Sequence, residues 1–171
     1  MSQQRQALAF SQLHRKNNPV ILYNIWDAGS ALAVEQAGAK AIATGSWSCA
    51  AAQGYQDGEA MPFARLLQTV QRIACVVSLP LTVDFETGYG ADRRDNLSAL
   101  LQAGVVGIGL SDLTLIAELC EVSALPVNIM TSNLTPPLAD LTAAGVSRIS
   151  YGPHPYIGLM ENLKQQARAL Y

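Results

Sequence analysis

The chain has 171 residues, of which 50% are hydrophobic and 14% charged. Such a length suits one domain with a real core, and such a composition excludes a disordered or tail-like chain. Eleven Lys and Arg stand against thirteen Asp and Glu, a net charge of -2. That balance offers a phosphate backbone no attraction, so no nucleic-acid partner is expected.

The polar start has no apolar h-region, so it does not read as a signal peptide. No uninterrupted apolar run reaches the roughly 18 residues of a spanning helix, so no membrane partner is expected. Cys49, Cys75 and Cys120 form no CxxC pair. A sparse, odd set of cysteines points to a reduced, cytoplasmic protein.

Residues 3–16 predict a helix, stopped by Asn17, Asn18 and Pro19, with His14 on its surface. A short buried strand follows over 20–23. Asp27 then caps a helix over 28–37 that ends at Gly38. The second strand, 41–46, ends in small residues. A short helix over 47–53 gives way to a polar, glycine-bearing loop over 54–59. Residues 63–77 repeat apolar positions at helical spacing. The third strand spans 80–85, with its loop over 86–90. A helix over 92–103 closes at Gly104, and the fourth strand follows over 105–110. Asp112 caps a helix over 113–122. The fifth strand is 126–130, with one of Asn128 and Met130 facing in. A helix over 136–144 closes at Gly145, and 146–150 is the sixth strand. His154 falls in a loop before the final helix, 156–170.

The strands are continuous Val/Ile/Leu runs rather than alternating ones. A parallel sheet buried on both faces requires this, so the fold class is α/β. An Ala-Gly turn precedes a strand three times, at 37–39, 103–105 and 144–146. A βα barrel and a doubly wound sheet both use that turn.

The polar residues of interest lie at the C-terminal ends of strands, which is the functional face of a parallel βα protein. Asp84 and Glu86 are two apart at the third strand end, and on an ideal strand they share a face. Two such carboxylates can hold Mg²⁺ directly or through waters. The same residues also read as a solvated strand end with a glycine turn. Ser46 and Trp47 follow the second strand, where backbone N–H groups at a helix start can bind an anion, or serve as an ordinary cap. Trp47 reads either as an apolar wall or as core. Asp57 lies in the polar loop and either joins a metal-water network or forms part of a surface turn. Tyr23 can line the mouth. The chain has no HExxH, no zinc-type cysteine-histidine set and no Walker A run.

Segments 22–30, 41–46, 54–59, 81–90, 126–130 and 146–150 together resemble the isocitrate lyase / phosphoenolpyruvate mutase superfamily. The pattern is similar to that of methylisocitrate lyase, oxaloacetate decarboxylase, phosphonopyruvate hydrolase and the mutase itself. The resemblance implies a parallel βα barrel of the TIM type and a homo-oligomer, a dimer or a tetramer built from dimers that exchange a C-terminal helix. It implies Mg²⁺ holding an enolpyruvate-like fragment of a small 2-oxo or 2-hydroxy acid. By the match, Asp84 would lie nearest the metal, with Glu86 and Asp57 on its waters. Ser46, with the N–H groups of Ser46 and Trp47, would bind the substrate carboxylate or enolate oxygen. Tyr23 and Asn128 would complete the substrate-binding set.

The middle departs from the family. Residues 105–112 stand where the family has several strands, so about two βα units and a lysine-bearing gate loop are missing. About six units remain, and residues 1–171 read as one truncated barrel domain. Arg65, Arg72, Arg93, Arg94 and Arg148 are present, but none stands where the family places its strand-end arginine. Three accounts follow. One is a lyase whose sequence here is incomplete. The second is a catalytically degenerate remnant serving as a structural or oligomerising scaffold. The third is a doubly wound binding module, against which the match around Asp84 and Glu86 speaks.

Overall fold

A computed structural model of the chain describes residues 3–86, 89, 120, 127–131 and 136–171. The described elements are α1 (Gln3–Leu13), β1 (Val20–Leu22), α2 (Ala28–Gln36), β2 (Ile42–Ala43), α3 (Ser46–Ala52), α4 (Phe63–Val76) and β3 (Leu81–Thr82). They continue with β4 (Asn128–Met130), α5 (Leu138–Ala143), β5 (Arg148–Ser150) and α6 (His154–Arg168). The fourth expected strand and the helices around it lie outside the described residues. Among those described, no helix is long and apolar enough to cross a membrane.

Among the described residues, every strand pairing is parallel. Val20 and Asn128 both register with Arg148, so β5 lies between β1 and β4. Ile42 registers with Leu81 in the β2–β3 pair. A parallel bridge from Ile25 to Thr44 joins the two sets. The spatial order is therefore β4-β5-β1-β2-β3. First strand beside last is how a βα barrel closes, and the fold is a parallel α/β structure of that type.

Alternation along each strand sorts side chains into two layers. Ile25, Ile42, Leu81 and Val83 face outward and pack against Ala31 of α2 and Leu66, Val70 and Ile73 of α4. The three α4 residues recur at spacings of three and four, the apolar stripe of a core-facing helix. Burying each contributes roughly 1.5–3 kcal/mol before entropy is counted. Ile129 and Ile149 form the equivalent outer layer with Leu141 and Val146. On the inner face, Val20, Leu22, Ala41 and Ala43 meet Phe10 and Leu13 of α1.

Local chemistry sets the element ends. Asp27 and Ser30 form a reciprocal capping box at the start of α2. Gly38 (φ +96°) and Gly145 (φ +88°) supply the left-handed residue that ends α2 and α5. Glu35 of α2 accepts hydrogen bonds from the Ser78 amide (2.8 Å), the Ser78 hydroxyl (2.9 Å) and the Leu79 amide (3.2 Å). This staples α2 to the segment entering β3.

Some sequence expectations are corrected. α1 ends at Leu13, because Asn17 takes a left-handed φ of +62° and Arg15 bridges to Asn18. His14 is part-buried rather than on the surface. Its ring meets Phe10 edge-on at 4.5 Å, with Nδ1 2.7 Å from the Phe10 carbonyl. The second strand is two residues long, because the chain turns at Gly45 into α3. His154 is the first residue of α6, not a loop residue, as Pro153 and Pro155 suit a helix start.

Candidate functional site

The C-terminal ends of β1, β2, β3 and β5 converge. Asn24 fastens them. Its side-chain amide donates to the Thr44 carbonyl (2.8 Å), and its Oδ1 accepts from the Tyr151 (2.8 Å) and Gly152 (2.9 Å) amides. Asn24 is only 7% exposed. It stands two residues past β1, yet nothing in its immediate sequence marks it as a clasp.

Asp84 sits beside this junction. Its Oδ2 accepts from the Ser46 hydroxyl (2.9 Å) and the Ser46 amide (3.4 Å). Its own amide donates to Thr44 Oγ1 (3.0 Å). The Glu86 amide donates to Asp84 Oδ1 (3.3 Å). Ser46 and Asp84 therefore meet, as the sequence suggests. Asp84 and Glu86 do not meet through a strand pleat, however. The β3 ladder ends at Thr82, and Glu86 turns back at φ +47°.

Glu59, from the polar loop, is a site residue that sequence reasoning passed over in favour of Asp57. Its Oε1 accepts from the Tyr89 amide (2.9 Å), while the Tyr89 hydroxyl donates to Glu86 Oε1 (3.2 Å). Glu59, Glu86 and Tyr89 all have positive φ, at +64°, +47° and +59°. Backbone strain at non-glycine residues gathers where a site needs it. Phe63, Phe85 and Tyr89 pack as an aromatic trio behind these carboxylates.

The electrostatics are those of an acidic centre. Burial raises the Glu86 carboxyl above its ordinary value, and the charges of Asp57 and Asp84 push it the same way. Burial and Glu86 together raise the Tyr89 phenol, so it stays protonated and donates. Cys49, on the buried face of α3, is pushed up to about 12 by burial first, then by Asp84 and Asp27, which makes it no nucleophile.

Among the described residues, no three of His, Cys, Asp and Glu converge as a closed metal set. Asp57, Asp84 and Glu86 are thus close enough to repel, but do not wrap one point directly. Carboxylate oxygens of this kind fit Mg²⁺, which keeps several waters and is held largely through them.

The remaining expected residues take different places. Trp47 is a rim wall, 38% exposed, its ring edge-on to Tyr156 at 5.8 Å. Tyr156 also meets Trp26 at 5.0 Å. Tyr23 is 49% exposed and pairs with Tyr151 at 5.3 Å. Asn128 opens β4, is buried, and accepts from Arg148 Nε (2.7 Å) inside the barrel. It lies below the rim rather than on it.

Comparison with known proteins accords with this architecture. A family model described as phosphoenolpyruvate phosphomutase matches residues 10–115 and 108–171. A solved structure from Burkholderia cenocepacia J2315, a phosphonomutase candidate, is similar with TM-score 0.92 and 29% identity, over 99% of this chain and 100% of that one. The 2-methylisocitrate lyase of Escherichia coli (strain K12) is 30% identical over 108 residues, 61% of this chain and 36% of that one. A phosphonopyruvate hydrolase complexed with oxalate and Mg²⁺ shares the fold, with TM-score 0.73 and 16% identity over 98% of this chain and 87% of that one. The chain spans 36–40% of the length of the curated relatives it matches. With the matched model covering most of its residues, the chain belongs to the phosphoenolpyruvate phosphomutase family.

Proposed function

We propose that the protein is a Mg²⁺-dependent, lyase-like enzyme. Its substrate is a small 2-oxo or 2-hydroxy carboxylic acid, cleaved at a C–C or P–C bond through an enolate to a pyruvate-type product. The observation that carries this reading is the Asp84 centre. One carboxylate is held by Ser46 and the Glu86 amide, on a backbone fixed by Thr44 Oγ1, with Glu86 and Asp57 close enough to interact electrically. Asp84, Glu86 and Asp57 would hold the ion, largely through its waters. The bound ion supplies a Lewis acid for the enolate oxygen.

In this reading Ser46 orients Asp84 and presents its amide to a substrate oxygen. Trp47 and Tyr23 wall the mouth against water. Asn128 acts from inside the barrel. Residues 1–171 form one truncated barrel domain that works in the cytoplasm. The protein is a homo-oligomer joined through α6, on which Leu159 and Leu163 are exposed one turn apart.

The test is pyruvate release from methylisocitrate, oxaloacetate and phosphonopyruvate with Mg²⁺, against an Asp84→Ala control. Turnover above the control on one of them is expected. None on any would refute the enzyme reading. It would favour a non-catalytic scaffold, for which one observation speaks. The three lysines stand away from the rim: Lys16 donates to the Cys120 carbonyl, Lys40 follows α2, and Lys164 pairs with Glu161 on α6.

A further inference from the structure

The strand ends carry two chemistries. Asp84, Glu86, Glu59 and Asp57 gather past β3 and in the polar loop. Over β4, β5 and β1 the rim is aromatic and apolar instead. Tyr23 follows β1, Met130 ends β4, Tyr151 follows β5, and Tyr156 lies in the first turn of α6. Tyr23, Trp47 and Met130 are 49%, 38% and 46% exposed. Large apolar side chains left open together at the mouth of a barrel mark a binding surface.

Contacts join this rim to the acidic centre. Gly152 turns at φ +54°, and a Cβ there would fall 2.6 Å from Met130 Sδ, so the thioether lies on bare backbone. A Cβ on Gly45 would fall 3.4 Å from the Gly152 carbonyl. Gly45 leads into Ser46, whose hydroxyl meets Asp84 at 2.9 Å. Trp47 comes next, its ring edge-on to Tyr156 at 5.8 Å, while Trp26 meets the same tyrosine at 5.0 Å. One short path therefore runs from Asp84 through Ser46 and the two glycines to Met130, with Trp47 and Tyr156 beside it.

The rim offers no partner to a second anionic group. Residues 22–26, 44–48, 129–131 and 149–157 contain no lysine or arginine. The charge next along from β1 is that of Asp27, which is negative. A carboxylate brought there would lose water without gaining a counter-ion, whereas an apolar group would gain contact area.

We propose that this rim is the specificity subsite, with Trp47, Tyr156 and Met130 as its determining residues. It takes an alkyl or aryl substituent of the reacting 2-oxo or 2-hydroxy acid and rejects a charged one. This inference rests on the metal-dependent reading above, in which the Asp84 centre holds the acid's other end.

The test compares pyruvate, 4-methyl-2-oxopentanoate and 2-oxoglutarate, titrated calorimetrically with and without saturating Mg²⁺ at pH 8. In wild type, 4-methyl-2-oxopentanoate should bind at least about tenfold more tightly than 2-oxoglutarate, whose tail is similar in size but charged. It should exceed pyruvate roughly 10- to 60-fold, at about fourfold per buried carbon. Met130→Ala and Tyr156→Ala should each lower the preference over 2-oxoglutarate at least about threefold. Asp84→Ala should weaken both ligands together and leave their ratio. Mg²⁺-dependent uptake with no preference, or with 2-oxoglutarate preferred, overturns the proposal and leaves the metal reading standing. A tenfold preference that ignores Mg²⁺ supports the rim and refutes the metal reading. No uptake of any of the three refutes both. Folded Met130→Ala and Tyr156→Ala that both keep the full preference also overturn the proposal. Should either fail to fold, Met130→Gln, which keeps the side-chain length but not its apolar character, decides in the same way.

Discussion

Replacing Asn24 with alanine should unfasten the barrel at its mouth. The side chain satisfies three backbone groups: the Thr44 carbonyl at 2.8 Å and the Tyr151 and Gly152 amides at 2.8 and 2.9 Å. They belong to segments that leave two different strands, β2 and β5. Alanine leaves the Thr44 carbonyl and the Gly152 amide without a partner, at about 1–3 kcal/mol each, while the Tyr151 amide keeps the Leu22 carbonyl at 3.2 Å. The loss should be roughly 2–6 kcal/mol, a large share of a typical 5–15 kcal/mol domain stability. Asn24→Asp keeps the two acceptor contacts but turns a carboxylate oxygen against the Thr44 carbonyl, so a loss of at least about 1–3 kcal/mol is expected. Urea unfolding followed by far-UV dichroism and by tryptophan fluorescence gives both values, and Trp26 and Trp47 report on the mouth itself. A loss below about 1 kcal/mol for Asn24→Ala would mean that water replaces the amide freely, which refutes its role as a clasp.

Ser46→Ala removes the 2.9 Å hydrogen bond that orients Asp84. Mg²⁺ affinity should fall about 10- to 100-fold, as for other residues that orient a ligand, and calorimetric titration with Mg²⁺ reads it. Glu86 predicts a pH dependence. Its folded-state value is raised, so its stabilising contribution is complete below the ordinary 4.5 and is lost as pH rises through the folded value. In metal-free buffer, Glu86→Gln should therefore gain on wild type in thermal midpoint between about pH 4 and pH 8, and a constant difference would count against the acidic-centre account. Leu159→Asp with Leu163→Asp should convert the homo-oligomer to monomer in light scattering, with far-UV dichroism unchanged. An unaltered mass would show that α6 is not the joint.

What was legible in the sequence was local. The cap at Asp27, the glycine stops at Gly38 and Gly145, and the helical stripe of α4 each depend on residues a few positions apart. The strand-end place of Ser46 and Asp84 followed from the same punctuation. Their direct hydrogen bond followed from parallel pairing of β2 with β3. The role of Glu59 was hidden, because left-handed turns at three non-glycine residues bring it to Tyr89, and no residue type announces such a turn. The short β2 ladder was overread because small residues after a strand also suit a helix start. Arg148 carried a signal that went unused. An arginine between Ser147 and Ile149 in a buried strand is rare enough to ask what balances its charge.

The pairing of β5 with β1 sets a timetable. Asn24 and Gly152 are 128 residues apart, and their hydrogen bond is among the last that synthesis permits. At ~5–20 residues per second, β1 waits roughly 6–25 s for its neighbour to emerge. Meanwhile the contacts among α2, β2, α4 and β3 are nearer in sequence, and they need no later part of the chain. Non-local parallel pairing is intrinsically slow, so closure of the barrel follows formation of this N-terminal layer. During that interval Val20 and Leu22 lack the strand that later flanks them. A nascent-chain-binding chaperone would find its target there, on a surface that disappears when β5 docks.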